Sequence, residues 1–406
     1  MNTIAIIAEY NPFHSGHHHQ LQYLHEHYPE SLRIAIMSGS FVQRGTPAFF
    51  TKFNRAKWAV MSGADIVFEL PTIYSLGSAE IFGTGAVRLG AALGIDALSF
   101  GSEVCNIEQL KATSHTLLSH KTQERCQILM KSGLSYNTAL RQAVVSLDPT
   151  VERLMNSPNA LLGLEYIKAI EKHHISMDII PVQRYTNHHD ESLTNDFPSG
   201  TALRNYMSSN VNNQTIHSLA SYFPPAIFPF VTDALLQGDY MDLHRYYDMV
   251  HTVNRLNTAT DLHQFHDFTE GIEYRWVEGV SETSWAKCRD FIKTKRYSYS
   301  RLDRMSAYSL LGITKEMMTQ AHHDGPSYTR LLAFNDRGRQ WLKEQRNSNI
   351  DIIQKWAPMF HSSTNSKKEL LTIDVKATNI QALSFSSEDS RRGNKDFTYC
   401  LYYLKS

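Results

Sequence analysis

A chain of 406 residues exceeds what one ordinary hydrophobic core organises, so two domains are expected, or three. Its 42% hydrophobic and 20% charged content excludes the disordered, collagen-like and coiled-coil classes. With 40 basic against 40 acidic residues there is no overall positive field, and a nucleic-acid partner has to be met by a local patch.

The chain opens on an apolar run, Thr3–Ala8, which lacks a basic flank and meets Glu9 at once. It reads as a buried strand and not as a signal peptide. Further strand-like runs follow at Leu32–Met37, Ile66–Leu70, Ala97–Phe100 and Met177–Val182. Helical patterns lie between them at His17–His27, Phe53–Ser62, Ser78–Leu93, Asn106–His120 and Leu161–His173. Short apolar strands alternating with helices predict an α/β domain with a doubly wound parallel sheet. In such a sheet ligands bind beyond the carboxyl ends of the strands. Glu9–His19, Ser38–Gly45, Pro71, Gly101–Glu103 and Arg184 would then surround one mouth.

The turn-rich stretch Asn210–Gln214 and Pro224-Pro225 mark a change of character. Residues 1–210 are expected to form the α/β domain and residues 211–406 a mainly helical second domain. Helical patterns there cover Ala226–Leu236, Leu243–Val250, Thr283–Thr294 and Ser300–Leu311. Cys105, Cys126, Cys288 and Cys400 have no metal-ligand spacing and read as free thiols of a reducing cytosol. No apolar run approaches the roughly 18 residues of a membrane span, so a cytoplasmic location is expected, with no membrane and no stable protein partner.

The first strand–loop–helix unit carries the clearest chemistry. Asn11-Pro12-Phe13-His14-Ser15-Gly16-His17 runs into a helix whose N-terminal N–H groups favour phosphate. His14 and His17, three apart, lie on the same side of the first turn and can donate hydrogen bonds to phosphoryl oxygens as charge builds. Gly16 leaves room for a base or ribose against the backbone. A His-rich surface helix is the competing reading, since His18 and His19 continue the run. A metal site on His14 and His18 is a third, without a convincing third ligand.

Arg44, in Ser38–Gly45, and Lys52 suit an anion-contacting loop, against the plainer reading of a solvated one. Gly101 at a strand end permits close approach of a base or ribose. Gly83-Thr84-Gly85 imitates part of a dinucleotide fingerprint but sits inside a helical pattern, which argues for helix packing. Ser199, Thr201 and Arg204 form either a helix cap or a second phosphate clamp. The 18 residues from Lys287 to Arg304 hold seven basic and two acidic side chains, interleaved with Phe291, Tyr297 and Tyr299. Lys287, Arg289, Lys293, Lys295, Arg296, Arg301 and Arg304 are candidate RNA contacts, or else a solvated helix face.

Glu9-Tyr10-Asn11-Pro12-Phe13-His14-Ser15-Gly16-His17 resembles the signature of the tRNA(Met) cytidine acetate ligases, members of the HIGH-motif nucleotidyltransferase superfamily with its Rossmann-like fold. The resemblance extends through Met37–Gly45, Phe68–Pro71, Phe100–Glu103, Leu161–Tyr166, Ser199–Arg204, Lys293–Tyr297 and Leu311–Thr314, most of the chain. Ser40 stands where Asn is usual, and Leu161 follows Asn159-Ala160 where the pattern is Asn-Asn-Ile-Leu. The resemblance implies an enzyme that activates acetate with ATP and acetylates the N4 amine of the wobble cytidine in elongator tRNA(Met). Mg2+ would accompany the ATP. The implied ATP site is Ile7, Ala8, Glu9, Tyr10, Asn11, Pro12, Phe13, His14, Ser15, Gly16, His17, His18, His19 and Gln20 with Gly101, Asn159 and Arg184. His14 and His17 would be catalytic, with no dedicated protein metal site. Adenylyl transfer to a phosphorylated small molecule and non-catalytic nucleotide or RNA binding are the alternative functions.

Overall fold

Thr3–Ala8 forms β1 with all six residues buried, because an apolar run of this length satisfies helices packed on both faces of a sheet. β2 (Leu32–Ser38) and β3 (Ile66–Leu70) are likewise buried throughout, and β4 (Ala97–Ser102) and β5 (Asp178–Gln183) complete a parallel set. The computed structural model describes residues 2–184, 199–209, 213–345 and 349–405. Alternate residues of β1 divide between two cores: Ala5 and Ile7 face one, while Ile4, Ile6 and Ala8 face the other. The first core includes Phe82 and Leu164 from helices Ala79–Ala92 and Pro158–Lys172; the second includes Leu21 and Trp58 from helices Ser15–His27 and Lys52–Met61.

The five expected strands are present, each within two residues of its expected bounds. Their order, β5-β4-β1-β2-β3, puts β1 in the middle, with the chain winding outward first to one side and then to the other. The carboxyl ends of β1 and β4 therefore diverge at a topological switch point, where a crevice opens. Gly83 and Gly85 do pack, within helix Ala79–Ala92: a Cβ at Gly85 would lie 2.5 Å from the Tyr74 ring.

The sheet does not stop with the first half of the chain. β6 (Tyr328–Asn335) pairs antiparallel with β3, and β7 (Asp351–Ile353) and β8 (Tyr402–Leu404) share the far edge of β6. The described residues from 213 to 405 are mostly helical, yet their strands are built into the sheet of the first half. The boundary expected at 210/211 falls outside the described residues. The signal for β6, Tyr-Thr-Arg-Leu-Leu-Ala-Phe, is a short apolar run that periodicity alone does not separate from a helix.

Buried charge fastens this junction. Lys52 Nζ lies 2.8 Å from Glu69 Oε1 and 2.8 Å from Asp396 Oδ1, and Asp396 also pairs with Arg330 of β6. Tyr328 Oη donates to Asp374 Oδ2 at 2.6 Å, and Thr72 N–H donates to Asp374 Oδ1 at 2.8 Å. Removing one partner of such a buried set leaves the others uncompensated. Lys52→Met should cost about 3–5 kcal/mol of unfolding free energy, read by urea denaturation; a loss within the ordinary surface range of about 0.5 kcal/mol would refute the junction's role.

Candidate active site

A cleft of about 790 Å³ occupies the switch point. It is within the usual size of small-molecule sites. One wall is the loop after β1. The carbonyls at the ends of β1 and β2 are gathered by the fully buried Arg55, which donates to the carbonyls of Glu9, Ser38, Gly39 and Phe50. Burial lowers the Arg55 pKa to about 10, against the opposing pull of the Glu9 and Glu69 carboxylates, and the side chain remains a cation at neutral pH. Asn11 Oδ1 accepts from Phe49 N–H at 2.8 Å, and Asn11 O accepts from Arg204 Nη1. Tyr10 between them is held at φ 46°, a conformation that costs about 1–3 kcal/mol in a non-glycine residue.

Helix Ser15–His27 begins with an unusual cap. Gly16 N–H donates to His14 Nδ1 at 3.0 Å, and His14 N–H donates to His17 Nδ1 at 3.3 Å. A backbone N–H can only donate, so both Nδ1 atoms are acceptors and each neutral ring carries its proton on Nε2. The ring centroids are 3.9 Å apart. Burial, then the Arg184 and Arg204 guanidinium groups, lowers the His14 pKa to about 3. His17 is lowered well below its ordinary value by burial, by His14 and by Arg184. The helix thus presents two uncharged Nε2–H donors at the cleft wall.

Of the implied ATP-site segment, Ile7, Ala8, Glu9, Tyr10, Asn11, His14, His17 and Gln20 line the cleft, joined by Gly101, Asn159 and Arg184. Pro12 and Phe13 of the loop do not, and Phe13 is packed in the core; nor do Ser15, Gly16, His18 and His19, since on a helix only one side can face the cavity. His18 turns away, its Nδ1 3.1 Å from Ser62 O, so the metal reading on His14 and His18 has no geometry behind it. Gly16 has a different use from the expected one, since a Cβ there would sit 2.9 Å from the Cε1 of His14. Its missing side chain makes room for the His14 ring. At Gly101 a Cβ would meet Arg184 Cδ at 2.9 Å, so the glycine accommodates the arginine stem.

Among the phosphate candidates, Arg44, Thr201 and Arg204 are on the wall; Arg204 Nη2 donates to Thr201 Oγ1 at 3.0 Å. Burial lowers the Arg204 pKa to about 10, opposed by Glu9. Ser199 is instead a helix cap, accepting from Ala202 N–H at 3.1 Å. Lys52 is a correction: it is wholly buried between Glu69 and Asp396 and does not line the cleft. The expectation missed the opposite wall, where Phe82, Phe100, Leu162 and Tyr166 give an apolar surface. It also missed helices His120–Lys131 and Tyr136–Leu147; Thr138, Leu140 and Arg141 of the latter reach the cleft. Their polar, weakly patterned sequence offered only a helical period as a signal.

The basic stretch divides in two. Arg289 pairs with Asp303 at 2.7 Å, Arg301 with Asp267 at 3.0 Å, and Arg304 donates to Gln43 O, so these three also bind the protein to itself. Tyr297 is buried and donates to Thr269 O. Lys287, Lys293, Lys295 and Arg296 are exposed, with Arg296 paired to Glu270. Beneath helix Tyr299–Leu311 the loop from Ser38 docks closely: a Cβ at Gly45, φ 93°, would lie 2.4 Å from Arg304 N. Among the described residues no three His, Cys, Asp or Glu side chains gather as a metal site would require, and no helix is long and apolar enough to cross a membrane.

A family model described as HIGH Nucleotidyl Transferase matches residues 1–396. The chain is 33% identical over 436 residues to the tRNA(Met) cytidine acetate ligase of Alkaliphilus metalliredigens, covering 100% of this chain and 99% of that protein. It is 33% identical over 396 residues to the protein of that name from Clostridium perfringens, covering 94% of each. Two crystal structures of Thermotoga maritima TmcAL, both 28% identical and covering 100% of each chain, superpose on it. The form bound with alpha-thio ATP has a TM-score of 0.90 and the apo form 0.92.

Two outcomes test this geometry. His14 should show no titration by NMR between about pH 5 and 8; a midpoint near its ordinary 6.5 would contradict the buried neutral ring. Because its folded pKa is depressed, His14 contributes stability that is complete above 6.5 and lost as pH falls toward about 3. Arg55→Met should cost roughly 3 kcal/mol or more in urea denaturation, since it strands buried carbonyls.

Proposed function

The chain belongs to the tRNA(Met) cytidine acetate ligases within the HIGH nucleotidyl transferase family, and on that premise we propose that it joins acetate to the N4 amine of the wobble cytidine of elongator tRNA(Met) at the expense of ATP. The observation that carries the reading is the pair of neutral Nε2–H donors, His14 and His17, at a helix N-terminus beside Arg204 in the switch-point cleft. Phosphate oxygens are acceptors only, so a wall of fixed donors with a nearby cation suits a triphosphate.

In the first step an acetate oxygen attacks the α-phosphorus in line, the bond to the pyrophosphate oxygen breaks, and acetyl-adenylate and pyrophosphate result. His14 and His17 stabilise the charge that grows on the phosphoryl oxygens, and Arg204 with Arg44 holds the leaving pyrophosphate. Neutral rings serve this better than charged ones, because they donate without adding repulsion to Arg184 and Arg204. In the second step the cytidine N4 attacks the acetyl carbon, the carbon–oxygen bond to AMP breaks, and the amine gives up a proton. Most of the acceleration comes from positioning and electrostatics. Mg2+ supplies further charge neutralisation when bound with ATP. Of the two carboxylates lining the cleft, Glu165 is tied to Lys168 and Glu9 accepts from Gln43 N–H, so the residues present fit an ion held mainly by the nucleotide.

The exposed cations Lys287, Lys293, Lys295 and Arg296 suit the phosphates of an anticodon stem and loop, and residues 211–406 would carry the RNA while residues 1–210 carry ATP. The cytoplasm, where tRNA is modified, is the matching location. Adenylyl transfer to a small phosphorylated metabolite calls for none of this surface.

Labelled acetate should enter tRNA only when ATP is present, and transfer of AMP to a metabolite instead would overturn the assignment. His14→Ala and His17→Ala should each lower the rate of adenylate formation about 100-fold. Replacing Lys293, Lys295 and Arg296 together by Ala should weaken tRNA binding and flatten its salt dependence without changing acetyl-adenylate formation.

A further inference from the structure

Glu103 does not line the cleft, yet it controls a residue that does. Its Oε1 accepts from the Nδ2 of Asn159 at 2.7 Å, and its Oε2 accepts from Ala160 N–H at 2.9 Å. Helix Pro158–Lys172 has no side-chain cap of its own at Ser157, so a carboxylate from the end of β4 satisfies its first turn. That carboxylate occupies the anion-attracting end of the helix, which removes it as a phosphate site.

A carboxylate only accepts, so the part of the Asn159 amide facing it is the NH2 group. The amide oxygen is then the group of Asn159 that Glu103 leaves unclaimed, on a residue that lines the cleft. An acceptor cannot bind a phosphate oxygen, which has no proton to give. In ATP the donors are the ribose hydroxyls and the exocyclic amine of adenine.

We infer that Glu103 is a positioning residue that locks the Asn159 amide with Oδ1 as acceptor, so that Asn159 reads a hydrogen-bond donor on the nucleoside half of ATP. This rests on the ATP reading of the cleft. The cleft wall is thereby sorted by polarity, with donors at His14, His17 and Arg204 for the phosphates and an acceptor at Asn159 for the nucleoside. Glu103→Gln keeps the shape but adds an NH2 group. With the Gln oxygen on Ala160 N–H, that NH2 faces Asn159 and favours the flipped amide, which turns the acceptor into a donor.

The test is equilibrium binding by calorimetry of ATP, 2′-deoxy-ATP, 3′-deoxy-ATP and inosine triphosphate, without tRNA or acetate. The unsubstituted protein should prefer ATP over at least one analogue by about tenfold, the worth of one hydrogen bond in such a site. Asn159→Ala should erase that preference by weakening ATP alone, and Glu103→Gln should erase it too. The double variant should lose no more than Asn159→Ala. Asn159→Ala leaves the cap on Ala160 intact, so it tests the reading atom even where Glu103→Gln melts the fold. Equal weakening of all four nucleotides by Asn159→Ala, or an undiminished preference in a folded Glu103→Gln protein, would overturn the inference. If the unsubstituted protein binds no ATP, the functional reading fails with it; if it binds ATP but transfers no acetate, only that reading fails.

Discussion

Where parallel strands end, their carbonyl oxygens run out of neighbours, and in this protein one guanidinium answers for them. Arg55 is fully buried and touches carbonyls from the ends of both β1 and β2, as well as the turn before its own helix. Five N–H groups in a rigid fork suit that task as no other side chain does. With the Glu9 and Gly39 carbonyls held, the next residues have little freedom. Tyr10 is forced into the left-handed region, and Asn11 is pinned by Phe49 and Arg204. His14 enters its helix from a loop whose backbone and side chains are held at Glu9 and Asn11. The geometry of the cleft wall thus rests on a cation that does not itself line the cleft.

The second organising effect is the absence of charge where charge is expected. Two histidines with centroids 3.9 Å apart, next to Arg184 and Arg204, cannot both be cations without strong repulsion. Each backbone N–H in the cap claims one ring nitrogen, and the other nitrogen is left with the proton. The same logic of assigning donors and acceptors by their neighbours fixes Asn159 against Glu103. Of the arginines on the wall, Arg184 packs its stem against Gly101.

Much of the parallel sheet was legible because buried strands read as continuous apolar runs, and the switch-point mouth follows from strand order alone. The signature around His14 was legible because its residues are adjacent in the chain. What escaped were relations between distant segments. Nothing near Lys52 announces that Asp396 will neutralise it, and a lysine one turn from a phosphate loop reads as a ligand until its partners are seen. Arg289, Arg301 and Arg304 count as positive charge in a sequence, although Asp303 and Asp267 cancel two of them and Arg304 bonds a carbonyl of the Ser38 loop. Glu103 acts through Asn159 across 56 positions of sequence, a pairing no local pattern encodes.

The insertion of β6 beside β3 bears on how the protein is made. A ribosome delivers β1 to β5 long before it delivers Tyr328–Asn335, and until then β3 carries an open hydrogen-bonding edge. Lys52 and Glu69 are meanwhile without Asp396 and Arg330. An unpaired, apolar strand edge is a template for association with other chains. The nascent β1–β5 sheet therefore passes through a vulnerable interval that closes only when β6 and Asp396 have been synthesised.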